Sequence, residues 1–287
     1  MSAMQLRQIG DTKVSAIGLG EMPLSQPHSP DERDAHRVVH AALDAGITLI
    51  DTADAYAPSS AEFGHGERLV AAALASYGGD TSEVLVATKG GHTRTAGDGW
   101  GLDGSPEFLR RACEQSLVAL GVERIDLYQY HRPDPSVPYA DSIGALRDLA
   151  DEGKVGFVGI SNASIAQIEQ ANGILGGRLA AVQNQFAPAY RWSLDELRYC
   201  GEHGIAFLPW SPLGGMSSAA ELGSQHAPFA EVAEVHGVTP QQVTLAWMLA
   251  LGPHVLPIPG SSRPETIRAS AEAADLALSP EELRRLS

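Results

Sequence analysis

Short apolar runs alternate along the chain with amphipathic segments of helical period. Eight of these runs are short enough to be strands, and each is followed by a loop and a helical pattern; they cover residues 16–19, 48–51, 84–88, 125–130, 155–160, 181–182, 205–208 and 255–258. Strands that alternate with helices form a parallel sheet. Because a closed barrel requires eight such repeats, the pattern predicts an α/β fold, a (β/α)8 TIM barrel. The even spacing shows no linker, so residues 1–287 are predicted to form one domain.

Turn and capping residues add detail to this prediction. Gly10-Asp11 lies between two short extended runs, which indicates an N-terminal β-hairpin that covers the barrel bottom. Ser29-Pro30 followed by Glu32 is a helix-start pattern with Ser29 as the N-cap. A doubly wound sheet is the competing fold. However, Gly18-Leu19-Gly20 is followed by Pro23 where the third glycine of a dinucleotide-binding turn should stand.

The charge balance narrows the classes of partner. The 287 residues carry 35 acidic and 20 basic side chains, a formal net charge of −15, with no cluster of lysine and arginine. Binding to nucleic acid or to an anionic membrane surface depends on such cations, so neither is expected. No apolar run approaches the ~18 residues of a membrane span, and no exposed apolar stripe requires a partner. We therefore expect a monomer or a weak homo-oligomer.

Cysteine usage bears on the compartment. The two cysteines, Cys113 and Cys200, both fall inside helical patterns, so we expect them in the core. A disulfide framework or a cysteine-rich zinc site is not expected. Residues 1–20 lack the basic stretch followed by an apolar stretch that a secretory signal has. These features favour a cytoplasmic protein.

Ionisable residues stand at the ends of three predicted strands. Asp51 ends the second, Lys89 the third and His131 the fourth, and Tyr56 lies in the loop five residues after Asp51. In a barrel the carboxyl ends of the strands converge on one mouth, where the chemistry takes place. The four side chains are therefore expected to meet.

These four side chains have a coherent chemical use. An ammonium beside a phenol stabilises the phenolate, so Lys89 is expected to lower the pKa of Tyr56 toward a useful range. Asp51 pairs with Lys89, which limits the cost of burying its charge. His131 donates a hydrogen bond to a substrate carbonyl oxygen. Tyr56 is then a general acid beside an electrophilic pocket, with no metal required.

Each residue also has a purely structural interpretation. Asp51-Thr52 can cap the next segment, Tyr56 can be a loop aromatic, and Lys89-Gly90-Gly91 can be a solvated turn. A metal-dependent hydrolase is a further alternative, because His65, His92 and His131 all follow strands. No His-x-His motif ends a strand, and Lys89 would repel a cation, so we expect no metal.

Six segments of the chain carry a resemblance to a known family. They are Asp51-Thr52-Ala53-Asp54-Ala55-Tyr56, Ala87-Thr88-Lys89-Gly90-Gly91, Leu127-Tyr128-Gln129-Tyr130-His131, Gly159-Ile160-Ser161-Asn162, Trp210-Ser211-Pro212-Leu213-Gly214 and Ile258-Pro259-Gly260-Ser261. In this order, over nearly the whole chain, they resemble the aldo-keto reductase superfamily. The resemblance implies a barrel that binds NADPH, or less often NADH, and reduces aldehydes or ketones to alcohols. It also implies that Tyr56 is the proton donor, that Lys89 and Asp51 tune it, and that His131 orients the carbonyl.

The resemblance further implies a nicotinamide cofactor site. Trp210 stands where tyrosine is more usual and stacks on the nicotinamide, a role that an indole preserves. The nicotinamide carboxamide is held by Ser161, Asn162 and Gln183. The remaining implied cofactor contacts are Gly20, Ser211, Leu213, Gly215, Gly260, Ser261 and Arg263.

The segment after the eighth predicted strand bears on the choice of NADP over NAD. Ser262 and Glu265 have the spacing of a capping box, so free backbone N–H groups at this helix start can receive a phosphate. Arg263 matches the geometry of an adenosine 2′-phosphate and favours NADPH. Family members often have arginine at the position of Thr266 and asparagine at that of Ser270, so the preference is expected to be modest.

Loops after the strands supply the predicted substrate pocket, which consists of Met22, Trp100, Phe186 and Tyr190. Trp100, between two glycines, is the expected lid aromatic, and a buried packing role is the alternative for Phe186. The chain ends soon after Ser279 without a long closing loop, which favours an open pocket and bulky substrates.

Two functional classes remain open. The first is a reductase. The second is a cofactor-binding regulatory barrel with little turnover, as in the β subunits of potassium channels. The intact set of four residues favours the reductase.

Overall fold

The computed structural model describes residues 4–95, 99–215 and 218–287. Its strands are β1 (Leu6–Ile9), β2 (Thr12–Ser15), β3 (Leu19–Gly20), β4 (Leu49–Asp51), β5 (Leu85–Gly90), β6 (His92–Arg94), β7 (Trp100–Leu102), β8 (Ile125–Tyr130), β9 (Val155–Ser161), β10 (Leu179–Gln183) and β11 (Ala206–Phe207). Seven of them form one sheet in the order β11-β10-β9-β8-β5-β4-β3, with every pair parallel.

Helices follow the strands of this sheet. They are α1 (Glu32–Asp44), α2 (His65–Ser76), α3 (Pro106–Leu120), α4 (Tyr139–Asp151), α5 (Ile165–Ile174), α6 (Leu194–Glu202), α7 (Leu222–Gln225), α8 (Ala227–His236), α9 (Pro240–Ala250), α10 (Pro264–Glu272) and α11 (Pro280–Leu286). None of these described helices has both the length and the apolarity that crossing a bilayer demands.

The segment 255–260 closes the sheet into a barrel. Leu256 N donates to Phe207 O at 2.8 Å on one side, and Gly20 N donates to Pro259 O at 3.0 Å on the other. Bridges join Val255 to Phe207 and Gly260 to Gly20 in parallel register. The predicted eighth strand is therefore present as a seam and not as a regular strand, because its two prolines have no N–H to donate. The (β/α)8 barrel is confirmed.

The core has two layers. One fills the space between sheet and helices. The other lies inside the barrel and includes Leu49, Leu127 and Leu256 together with Ile9 and Val14 from the hairpin of β1 and β2. The hairpin therefore covers the barrel bottom, as its turn signal predicts.

One arginine fastens this hairpin to the far end of the chain. The Arg7 guanidinium donates to Leu249 O at 2.8 Å, to Gly252 O at 2.5 Å and to Val255 O. These carbonyls lie at the end of α9 and the start of the closing segment, where helix carbonyls lack partners of their own. Burial lowers the pKa of Arg7 to about 10.

Two helix starts differ from the prediction. The N-cap of α1 is Asp31 and not Ser29, because the Asp31 carboxylate accepts from Asp34 N at 2.9 Å. Pro30 thus lies before the helix. At α10 the N-cap is Arg263, with no side-chain cap, so the predicted capping box of Ser262 and Glu265 is wrong. Cys113 and Cys200 are free and buried, as predicted.

Candidate active site

Lys89 lies at the centre of the barrel mouth. It is on β5, fully buried, and its ammonium donates to Asp51 Oδ2 at 2.6 Å, to Thr52 O at 2.8 Å and to Tyr56 Oη at 3.3 Å. All three of its donors are used, so the amine has a fixed position. The structure thus brings Asp51 and Tyr56 to opposite sides of one buried cation.

Asp51 is held from both sides as well. While Oδ2 accepts from Lys89, Oδ1 accepts from Gln183 Nε2 at 2.8 Å and from Gln129 Nε2 at 3.0 Å. A buried ion pair is stable only when its remaining polar atoms are hydrogen-bonded. The two glutamines, from β8 and β10, meet that requirement across the barrel.

The proton state of Tyr56 differs from the expectation. Burial raises the pKa of Tyr56, and the Lys89 charge, which acts in the opposite direction, does not overcome it. Burial also disfavours the charged form of Lys89, but the Asp51 charge and the hydrogen bonds outweigh burial and leave the pKa of Lys89 raised. At neutral pH the site therefore contains a protonated phenol beside an ammonium, which is the state that a proton donor needs.

His131 follows β8 directly and faces Tyr56. The two ring centroids lie 5.7 Å apart in an edge-to-face arrangement. Burial, followed by the charge of Lys89, holds the pKa of His131 well below its usual range, so the imidazole is neutral. Its buried Nδ1 has no hydrogen-bond partner among the described residues. A neutral imidazole has one N–H to donate, which suits it to a carbonyl oxygen.

A cavity of about 490 Å³ opens above these side chains. Of the predicted site residues, those that line it are Gly20, Met22, Asp51, Tyr56, Trp100, His131, Ser161, Asn162, Gln183, Trp210, Ser211, Leu213, Gly215 and Gly260. Lys89 is not on the wall but supports it from behind. Trp100, on the hairpin of β6 and β7, is 45% exposed at the rim.

Besides Lys89, four predicted site residues lie off this wall. Phe186 is fully buried and stacks on Trp247 in the core, with ring centroids 5.6 Å apart, so its placement in the pocket is corrected to packing. Tyr190 lines a separate small pocket. Ser261 is buried just behind the wall, where its Oγ accepts from Arg263 N at 3.2 Å, and the Arg263 side chain is exposed at the start of α10.

One side of the cavity fits a flat ring that carries an amide. Asn162 Nδ2 donates to His131 O and to Ser161 Oγ, both at 3.0 Å, and Ser161 Oγ donates to Gln183 O at 2.6 Å. Trp210 is half-buried there, and its Nε1 has no partner among the described residues. An aromatic face with a few fixed polar groups beside it is the general form of a site for a flat, polar ring such as nicotinamide.

Left-handed backbone collects along the same side. Asn162 has φ 58° and Ser211 has φ 48°, although neither is glycine, and Gly214 and Gly215 follow with φ 90° and 99°. Non-glycine residues in this region are strained and cluster at ligand sites. A turn that contains successive glycines can present backbone N–H groups to a phosphate. The residues present therefore fit a nicotinamide dinucleotide.

Three polar groups of this site were not among the predicted reductase residues, although His92 was named as a candidate for the alternative metal site. His92 lies edge-on to His131 with ring centroids 4.2 Å apart. Arg132 lines the cavity, and among the described residues it is the single lysine or arginine that does so. Glu21 is a fully buried carboxyl next to Gly20. A weaker signal for Glu21 was present, since it is a charged residue two positions beyond the end of the first predicted strand, whereas Asp51 is the last residue of the second.

Comparisons with known proteins identify the family of this barrel. A family model described as the aldo/keto reductase family matches residues 16–287. The chain belongs to the aldo/keto reductase family. It is 34% identical to a probable aldo-keto reductase of Glycine max over 302 residues, which cover 96% of this chain and 85% of that protein.

Solved structures give the same result. A glycerol dehydrogenase from Gluconobacter oxydans matches with a TM-score of 0.84 at 28% identity, covering 98% of this chain and 93% of that one. An aldo/keto reductase from Klebsiella pneumoniae, solved with NADP and acetate, matches with a TM-score of 0.79 at 27% identity, covering 99% and 94%. The protein is thus an oxidoreductase of carbonyl chemistry.

Proposed function

We propose that this protein reduces an aldehyde or ketone to an alcohol, with NADPH as the hydride source and Tyr56 as the proton donor. The observation that carries the proposal is the contact of 3.3 Å between Lys89 Nζ and Tyr56 Oη, with Asp51 on the other side of the amine. Tyr56 opens onto the cavity, while Lys89 lies behind it.

Each residue then has one task. The Tyr56 O–H and the neutral His131 bind the carbonyl oxygen, which polarises the carbonyl bond. A bound NADPH supplies the hydride. As negative charge develops on the oxygen, Tyr56 transfers its proton there, and the ammonium of Lys89 stabilises the phenolate that is left. Asp51 holds that ammonium in place.

The cofactor is proposed to lie along the Trp210 side of the cavity. The indole stacks on the nicotinamide, and Ser161, Asn162 and Gln183 hold its carboxamide. Ser211, Leu213 and Gly215 contact the middle of the dinucleotide, and Gly20, Gly260 and Ser261 lie near its other end. Met22 and Trp100 contact the substrate, which is a carbonyl compound and not a macromolecule.

A fluorescence titration with NADPH and NADH tests the proposal. Trp210 lies on the cavity wall, so a bound nicotinamide is expected to quench its emission. We expect saturable quenching by both nucleotides, tighter for NADPH, and turnover on a panel of aldehydes and ketones. Absence of binding by quenching and by calorimetry would contradict the reductase. Tight binding without turnover on the whole panel would instead indicate a regulatory barrel.

Arg263 is proposed to bind the adenosine 2′-phosphate. Its exposed guanidinium stands at the start of α10, a helix start that no side chain caps. We expect Arg263→Ala to weaken NADPH by roughly three- to tenfold, because a charge-assisted hydrogen bond contributes about 1.5 kcal/mol at most when exposed. NADH affinity should change little.

Arg124→Ala is the matched control, because Arg124 is also exposed but precedes β8 at the opposite end of the barrel. Equal losses of NADPH and NADH in Arg263→Ala would show that Arg263 does not bind the 2′-phosphate. We also propose a cytoplasmic location and a monomer or weak homo-oligomer, in keeping with two free, buried thiols.

A further inference from the structure

Glu21 is a carboxyl group sealed under the candidate active site. It follows β3 directly, is fully buried, and its backbone N–H donates to Asp51 O at 2.9 Å. Its Oε2 accepts from Thr52 Oγ1 at 2.9 Å, whereas Oε1 has no partner among the described residues. A buried carboxyl with one hydrogen bond is costly to ionise, and such a group needs a reason.

Thr52 links Glu21 to the Lys89 ammonium. Its hydroxyl donates to Glu21, while its carbonyl accepts from Lys89 Nζ at 2.8 Å. The carboxyl is also confined: a Cβ built at Gly66, on α2, would lie 2.5 Å from Glu21 Oε2. Gly66 and Thr52 thus limit the movement of the Glu21 carboxyl, and its charge acts on the Lys89 cluster.

Few charges act on Glu21. The charged groups are Asp51 on β4 and Lys89 on β5, and the titratable phenol of Tyr56, in the loop after β4, is the third group that interacts with Glu21. From α2, Glu67 accepts instead from Thr88 Oγ1 at 2.6 Å, with Asp54 as its neighbour. Since Lys89 is already paired with Asp51, little positive charge is left to keep Glu21 ionised.

We propose that Glu21 is a positioning residue that keeps the proton on Tyr56 as the solution becomes alkaline. Once Glu21 is ionised, its negative charge favours the ammonium of Lys89 and disfavours the phenolate of Tyr56, so the phenol remains a proton donor to higher pH. The inference rests on the proposed reductase function. It goes beyond that function because Glu21, which is not one of the predicted catalytic residues, would set the upper pH limit of carbonyl reduction.

Burial raises the pKa of Glu21 to about 7, although the neighbouring hydroxyls of Ser25 and Thr52 and the charge of Lys89 lower it. The wild-type protein and Glu21→Gln should therefore behave alike well below pH 7, where both carry a neutral side chain. Above pH 7 only the wild-type protein has a negative charge at position 21. A residue with a merely structural role would give a difference at every pH.

The pH profile of kcat/KM in both directions is the test. In Glu21→Gln, we expect the alkaline limb of carbonyl reduction to move to lower pH by about half a unit, which is about threefold in rate on that limb. The acidic limb of alcohol oxidation, which needs the phenolate, should move the same way. Thr52→Val removes the hydroxyl that favours ionised Glu21, so it should raise the pKa of Glu21 and extend to higher pH the range over which stability depends on pH.

Glu67→Gln is the matched control, because Glu67 is also a buried carboxyl bonded to a threonine hydroxyl. Its shift should be smaller than that of Glu21→Gln. The proposal is overturned if Glu21→Gln leaves both limbs in place, or if Glu67→Gln moves them as far.

Urea unfolding as a function of pH makes the test independent of turnover. Because the folded-state pKa of Glu21 is raised from 4.5 to about 7, the folded state binds the extra proton, and stability is lost as pH rises through that window. The stability difference between wild type and Glu21→Gln should vary between about pH 4.5 and 7 and be constant above. A constant difference at every pH would overturn the proposal. If the difference varies but no carbonyl is reduced, the failure lies in the proposed function.

Discussion

Tyr56→Phe is expected to lose carbonyl reduction by a factor of about 10²–10⁴, the range that general acid catalysis contributes. Phenylalanine keeps the ring that faces His131 and removes the O–H next to Lys89. The side of the cavity proposed for the nicotinamide, around Trp210 and Asn162, is untouched, so the NADPH dissociation constant should be nearly unchanged. Steady-state NADPH consumption and the quenching titration measure the two quantities on one sample.

Tyr77→Phe is the control for this experiment. The Tyr77 hydroxyl bonds to the exposed Asp44 on α1, far from the cavity, and its loss should leave turnover as it is. If Tyr56→Phe retained most of the activity of Tyr77→Phe, Tyr56 would not be the proton donor. Loss of activity together with loss of NADPH binding would indicate a collapsed site.

Lys89→Met is the second change with a large expected effect, this time on the free energy of unfolding. Removing one partner of a buried ion pair leaves the other charge uncompensated and costs about 3–5 kcal/mol. Here Asp51 would keep its two glutamine donors but lose the ammonium at 2.6 Å. Urea unfolding at neutral pH measures the loss, and carbonyl reduction should disappear with it.

The double variant Lys89→Met with Asp51→Asn separates charge from packing. Because asparagine brings no uncompensated charge, the double variant should recover part of the stability that Lys89→Met loses, with no recovery of activity. If Lys89→Met cost less than about 1 kcal/mol, the pair would be as weak as an exposed one. A double variant less stable than Lys89→Met would show that packing, and not charge, sets the loss.

Strand ends could be read from the sequence because polar residues interrupt apolar runs there. Asp51, Lys89 and His131 each end such a run, and all three lie at one barrel mouth. The pKa of Tyr56 could not be predicted in the same way. Its direction depends on how completely the ring is buried, which no spacing reveals.

Loops were harder to predict than strands. Phe186 and Tyr190 follow β10 as pocket residues should, but one packs on Trp247 and the other lines a different pocket, because loop residues have no period that fixes the side they face. The start of α1 shows the same limit. Ser29 and Asp31 are both good N-caps, and only the backbone path decides between them.

The seam that Arg7 helps to fasten has a consequence for synthesis. Arg7 and Val255 are 248 residues apart. At about 5–20 residues per second, a ribosome releases the second partner roughly 12–50 s after the first. Until segment 255–260 is available, the edge of β3 that faces away from β4 has no partner, and an unpaired strand edge can bind other chains. The barrel is therefore expected to close late and all at once, and a nascent chain stalled before residue 255 should be prone to aggregation.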